Sequence, residues 1–161
     1  MIKGLHHAAY RCRDSEETRR FYEGFLELPL AHVIEIRETR SGRQTETLHS
    51  FYRMADGSFV ALFEAPDMPF EFHQQHDYDL HLALEVTPEE LDRMFAKGKA
   101  AGIETRGVSD HHVIRSIYFR DPNGYVVELT AKTPVHDAEM NPATNDAAAR
   151  LAAWQQRKAA A

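Results

Sequence analysis

Three side chains in this sequence have the types and placement to hold a divalent metal. His7 opens the alternating segment Leu5-His6-His7-Ala8-Ala9-Tyr10-Arg11-Cys12, and His81 opens a second, Leu80-His81-Leu82-Ala83-Leu84-Glu85-Val86. Glu128 follows an Asn123-Gly124 turn in Tyr125-Val126-Val127-Glu128. Side chains alternate between the faces of a strand, so phase decides whether the three can meet. His7, Ala9 and Arg11 share a face; so do His81, Ala83 and Glu85, and so do Val126, Glu128 and Thr130. Leu82, Leu84 and Val86 form the opposite, apolar face of the second strand, suited to helix packing. The phase therefore predicts that both histidines and the glutamate line one concavity. Two imidazoles and a carboxylate suit Fe(II), Zn(II), Mn(II), Ni(II) or Co(II), with positions left open for a substrate.

The elements that must position these residues occur twice in one order. Asp14 with Glu17 starts a helix whose Phe21, Tyr22, Phe25 and Leu26 recur at helical spacing, and Pro29 ends it. Strands are expected at His32–Ile36, Leu48–Met54 and Phe59–Glu64, the last two joined at Asp56-Gly57, with a polar loop over Arg37–Thr45. A proline-bearing linker, Pro66–Tyr78, follows. The strand Leu80–Val86 then leads into Thr87-Pro88-Glu89-Glu90, a capping box with proline at the first helical position. Leu91, Met94 and Phe95 give that helix its buried stripe, and Gly102 stops it. Strands at Ile103–Val108, Val113–Arg120 and Tyr125–Ala131 complete the second unit. Beyond Pro134 an alanine-rich helix is expected from Ala147 to Lys158, with Leu151 and Trp154 as its large apolar residues. A helix this short is marginal alone in water, so the segment is either a frayed extension or is docked on the domain or on a second subunit.

With 161 residues, 43% hydrophobic and 27% charged, the chain is long enough for a real core and composed like an ordinary globule. A net charge of −6 without a basic block argues against nucleic-acid binding. No apolar run reaches membrane-span length, and one cysteine, Cys12, precludes an intrachain disulfide. A cytoplasmic protein is expected.

On His7, Asp14 with Phe21-Tyr22, His81, and Asp121-Pro122-Asn123-Gly124 leading to Glu128, residues 2 to 131 resemble the vicinal oxygen chelate superfamily. That superfamily includes glyoxalase I, fosfomycin- and bleomycin-resistance proteins and type I extradiol dioxygenases. The resemblance implies an α+β fold: two βαβββ modules forming a cupped mixed sheet around a metal site, here followed by a C-terminal helix. Module one would be residues 1–65, the linker 66–78, module two 79–131, and the extension 132–161. The implied metal ligands are His7, His81 and Glu128. His111, Ile117-Tyr118, Asp121-Pro122-Asn123-Gly124 and Glu128 follow the order of the extradiol dioxygenase signature, although Ser109 departs from it.

The leading expectation is an Fe(II) extradiol-type dioxygenase that cleaves a small catechol-like aromatic with dioxygen. His111 or His112 and Tyr118 would be its catalytic helpers, and His49 and Phe51 would contact substrate. A glyoxalase I-like lyase or isomerase using Ni or Zn is the alternative, with Glu64 or Glu85 as base and Glu64 as a candidate fourth ligand. Mn is a further candidate metal. A metal-free drug-binding protein of the bleomycin-resistance kind is the second alternative, opposed by the intact ligand trio. The resemblance also implies a homodimer.

Overall fold

Short-range chemistry sets where both main helices begin. Asp14 Oδ1 accepts a hydrogen bond from the Glu17 backbone N–H at 2.7 Å, capping α1, Ser15–Arg19. Thr87 Oγ1 accepts from the Glu90 N–H at 3.2 Å and caps α2, Pro88–Ala100. The computed structural model describes residues 1–159. Its strands are β1 (His7–Arg11), β2 (Leu30–Glu38), β3 (Gln44–Arg53), β4 (Phe59–Glu64), β5 (Leu82–Glu85), β6 (Thr105–Asp110), β7 (Ile114–Arg120) and β8 (Val126–Lys132). Two further helices, α3 (His136–Glu139) and α4 (Ala147–Ala159), follow. Among the described residues no helix is long and apolar enough to cross a membrane.

The chain divides into two units, Met1–Leu80 with Arg120–Val126, and His81–Phe119 with Val127–Ala161. The first holds a four-stranded sheet in the order β1-β4-β3-β2. β1 runs parallel to β4, pairing His7 with Phe59 and Ala9 with Ala61, and β3 runs antiparallel to β4, pairing His49 with Phe63. The second holds the order β5-β8-β7-β6. β5 is parallel to β8, with Ala83 opposite Glu128, and β6 is antiparallel to β7, with Arg106 opposite Tyr118. The α+β character and the repeated strand-helix-three-strand order agree with the expectation.

Two stretches depart from it. The first helix does not run on regularly to Pro29. After α1 it widens into a π-helical turn, Arg20–Phe25, where the Leu26 N–H reaches the Phe21 carbonyl at 2.9 Å. The extra residue per turn lets Phe21, Tyr22 and Phe25 all be buried, with Tyr22 stacked on Tyr52 at 5.4 Å. The polar stretch expected as a loop over Arg37–Thr45 is strand at both of its ends, because β2 and β3 extend to Glu38 and from Gln44. Backbone pairing there does not need an apolar side-chain pattern, and only Thr39–Arg43 is left to turn, closed by Thr39 N–H to Arg43 O at 2.8 Å.

The core of the first unit gathers Tyr22, Tyr52, Val60, Leu62 and Cys12, which is 1% exposed. Burial pushes the Cys12 thiol above its ordinary pKa. Beside it lies a buried polar network. Asp121, 4% exposed, accepts from the backbone N–H groups of Asn123 (2.9 Å) and Tyr125 (2.8 Å), from Asn123 Nδ2 (3.1 Å) and from the Tyr22 hydroxyl (3.2 Å). Asn123 also donates to Thr18 Oγ1 at 3.2 Å and accepts from the Arg13 N–H at 2.8 Å. Gly124, at φ +105°, closes this turn against the Phe72 ring, where a Cβ would come within 2.8 Å.

The second core consists of Leu84, Leu91, Met94, Ile117, Phe119, Val127 and Leu129. α4 is helical where the sequence places it, but Leu151 and Trp154 remain 61% and 52% exposed. Within one chain its two large apolar residues are therefore not covered.

Two outcomes follow from the network. Asn123→Ala strands the Arg13 N–H and removes two donors, so chemical denaturation should read a loss of about 2 to 3 kcal/mol. Burial raises the folded-state pKa of Asp121 above its ordinary value. Folding therefore takes up a proton there, and the stability cost of the ionised carboxyl is relieved as pH falls through the raised value. Carboxyls such as Asp56 and Asp67, whose pKa values are lowered by hydrogen bonds, act in the opposite sense. The stability of wild type minus Asp121→Asn should accordingly rise between neutrality and about pH 4. A flat difference would deny the buried charge.

Candidate metal centre

In the second unit the parallel register of β5 and β8 sets Ala83 opposite Glu128, with His81 just ahead of β5. His81 Nε2 lies 3.3 Å from Glu128 Oε2, and the Glu128 side chain is 6% exposed. Bonds of about 2.0–2.2 Å to one ion separate adjacent donors by about 3.0–3.4 Å, so this nitrogen and oxygen stand at chelating distance. A buried carboxylate beside an imidazole is also the hard and borderline donor set that first-row divalent metals take. His81 and Glu128 fit such an ion as two of its donors.

Tyr118 stands on the same face. Burial pushes its phenol above the ordinary value, and the charge of Glu128 pushes it further. Its hydroxyl shares a 2.8 Å hydrogen bond with His111 Nε2. His112 does not join them. At φ 69° it turns the other way, its N–H held by Asp110 Oδ1 at 2.7 Å and its Nε2 2.7 Å from Glu139 Oε1 in α3. Of the two histidines only His111 meets Tyr118, because the left-handed residue reverses the chain between them. Sequence reading missed Arg106, whose guanidinium lies 5.5 Å over the Tyr118 ring. The signal was a cross-strand one: Arg106 pairs with Tyr118 in the β6–β7 hairpin.

His7 belongs to the first unit. Its Nδ1 is 2.8 Å from His6 Nδ1, so when His7 holds the shared proton its Nε2 lone pair is left for a metal. Phe51 and His49, the candidate substrate contacts, lie on the same face, their rings 5.8 and 6.1 Å from that of His7. His49 stacks on Phe63 at 3.6 Å, and burial holds its imidazole below the ordinary pKa. Among the described residues no three or more His, Cys, Asp or Glu side chains gather closely enough to hold an ion.

Two glutamates leave the candidate site. Glu64 has the phase of Val60 and Leu62, opposite His7, and its Oε2 accepts from the Ser15 N–H at 2.7 Å. It serves the start of α1 and not a fourth ligand position. Glu85 is exposed and pairs with Lys132 Nζ at 3.2 Å.

The chain is similar to several known proteins. A family model described as the glyoxalase/bleomycin resistance protein/dioxygenase superfamily matches residues 4–129. The metallothiol transferase FosB of Shouchella clausii (strain KSM-K16) is 26% identical over 145 residues, covering 83% of this chain and 83% of that protein. The fosfomycin resistance protein FosX from Listeria monocytogenes, crystallised with Mn(II) and sulfate, superposes with a TM-score of 0.62 at 23% identity, covering 86% of this chain and 99% of that one. A glyoxalase/dioxygenase from Nostoc punctiforme gives a TM-score of 0.58 at 23% identity, covering 81% and 92%. At such identities the structural likeness speaks for the fold.

Proposed function

Since the chain belongs to the glyoxalase/bleomycin resistance protein/dioxygenase superfamily, we propose that it is a divalent-metal-dependent enzyme of the fosfomycin-resistance type, which adds a thiol or water to a small oxygen-bearing electrophile. The observation that carries this reading is the His81–Glu128 pair at chelating distance, 3.3 Å, together with the likeness to a metallothiol transferase. His81 and Glu128 are ligands in this reading, and His7 remains the third donor that the resemblance implies. When bound, the ion acts as a Lewis acid on the substrate oxygen. The chain's own residues do the rest. Tyr118 offers its O–H where an oxygen gains charge as the carbon–oxygen bond breaks, and His111 Nε2, 2.8 Å away, passes a proton back to it. Arg106, over the Tyr118 ring, meets an anionic group on the substrate.

The same His111–Tyr118 bond favours a second reading, an Fe(II) extradiol-type dioxygenase acting on a catechol-like aromatic with dioxygen. There Tyr118 would hold a phenolate oxygen and His111 would move its proton. The lyase alternative loses its two candidate bases, since Glu64 and Glu85 are engaged elsewhere. We also propose a cytoplasmic homodimer, in which the exposed Leu151 and Trp154 of α4 find cover at or near the subunit contact.

Fosfomycin, a phosphonate epoxide, separates these readings. Protein loaded with Mn(II) should convert it to a thioether in the presence of cysteine or glutathione, or to a diol without them, followed by ³¹P NMR. Inertness to fosfomycin under all these conditions, with oxygen-dependent ring cleavage of a catechol by Fe(II)-loaded protein, would select the second reading. His81→Ala and Glu128→Gln should each lose stoichiometric Mn(II) binding while keeping the fold, by equilibrium dialysis and circular dichroism. Tyr118→Phe should keep the metal and lower kcat about a hundredfold. Removing residues after Val135 should weaken the dimer in sedimentation velocity while leaving metal binding intact. An unchanged dimer would leave α4 without a role in assembly.

A further inference from the structure

Outside the candidate metal centre, the first unit holds a cavity of about 520 Å³ along the outer edge of β1, within the size range of small-molecule sites. β1 is an edge strand, and the segment from Pro69 to Gln75 runs beside it. The walls are aromatic. Tyr10 and Tyr125 lie 5.1 Å apart between ring centroids, Phe72 meets Tyr125 edge-on at 5.4 Å, and Phe70 lines the same space. Arg11 lines the space as well, together with Glu71. Its Nη2 donates to the Met68 carbonyl at 2.6 Å, while its Nε–H is buried with no acceptor. Among the described residues no carboxylate forms a salt bridge with it.

Burying a guanidinium donor unsatisfied is costly, and an anionic acceptor offsets that cost most fully. Flat rings favour a flat guest, by offset stacking or edge-to-face contact. We propose that this cavity is a second ligand site, which binds a small aromatic acid with its carboxylate on Arg11 and its ring among Tyr10, Phe70, Phe72 and Tyr125. Both phenols are kept protonated by burial, which raises their pKa values. Ala9 lines the cavity from the middle of β1, so a larger side chain at that position would fill it. The site does not depend on which reaction the metal centre performs.

Benzoate tests it on the intact chain, with acetate as the acid without a ring and benzyl alcohol as the ring without an acid. Benzoate should saturate the protein at millimolar concentration, with amide NMR shifts confined to residues 9–11, 70–75 and 125. Acetate and benzyl alcohol should bind at least about tenfold more weakly, as loss of the stacking or of one charge-assisted hydrogen bond requires. Arg11→Met should weaken benzoate by about the same factor. Should that variant fold poorly, Ala9→Leu leaves the guanidinium in place and should abolish binding by occupying the space. The proposal is overturned if benzoate gives no saturable shifts, if its shifts map to residues 81, 118 and 128, if acetate matches it, or if Ala9→Leu leaves its affinity unchanged.

Discussion

Everything the second sheet presents rests on the turn at Asp121. One carboxylate, 4% exposed, collects four donors from Asn123, Tyr125 and Tyr22. These bonds fix how many residues the turn spends between β7 and β8. A strand has a two-residue period, so a slip of one residue would move every side chain of β8 to the opposite face. Tyr118, three residues before Asp121, and Glu128, seven after it, can face each other only in the register this turn sets. The aspartate touches neither residue. It decides whether they meet.

The same logic explains why much of the fold was legible in the sequence. Caps depend on residues three apart, so Asp14 and Thr87 announced α1 and α2. Strand phase depends on residues two apart, so the alternation by itself set His81 and Glu128 on one side. β4 fell at Phe59–Glu64 as expected. What stayed hidden depends on distant partners. Glu64 could be read as a ligand because nothing local shows that its oxygen will meet the Ser15 N–H. His111 and His112 look alike in the chain, and only the positive φ of His112 parts them. The polar ends of β2 and β3 carry no apolar alternation, so their backbone pairing left no trace in the pattern.

The candidate donors His81 and Glu128 and the groups around them carry different information. An imidazole and a carboxylate at chelating distance are compatible with several divalent ions and with reactions as different as hydrolysis and oxygenation. The choice among them lies with the neighbours. A phenol held by an imidazole moves protons, and a guanidinium stacked on that phenol favours a negatively charged guest. Arg106 and Tyr118 sit on β6 and β7, and His111 lies in the turn between them.

Cys12 has a consequence for how the chain meets reactive thiols and oxidants. It is the chain's one thiol, 1% exposed, and burial keeps it protonated. A buried, protonated thiol is slow to form mixed disulfides or to be oxidised. The same burial makes Cys12 a native reporter. A thiol-specific label can reach it only when the first core opens, so labelling kinetics measure that opening residue-specifically in the unmodified chain.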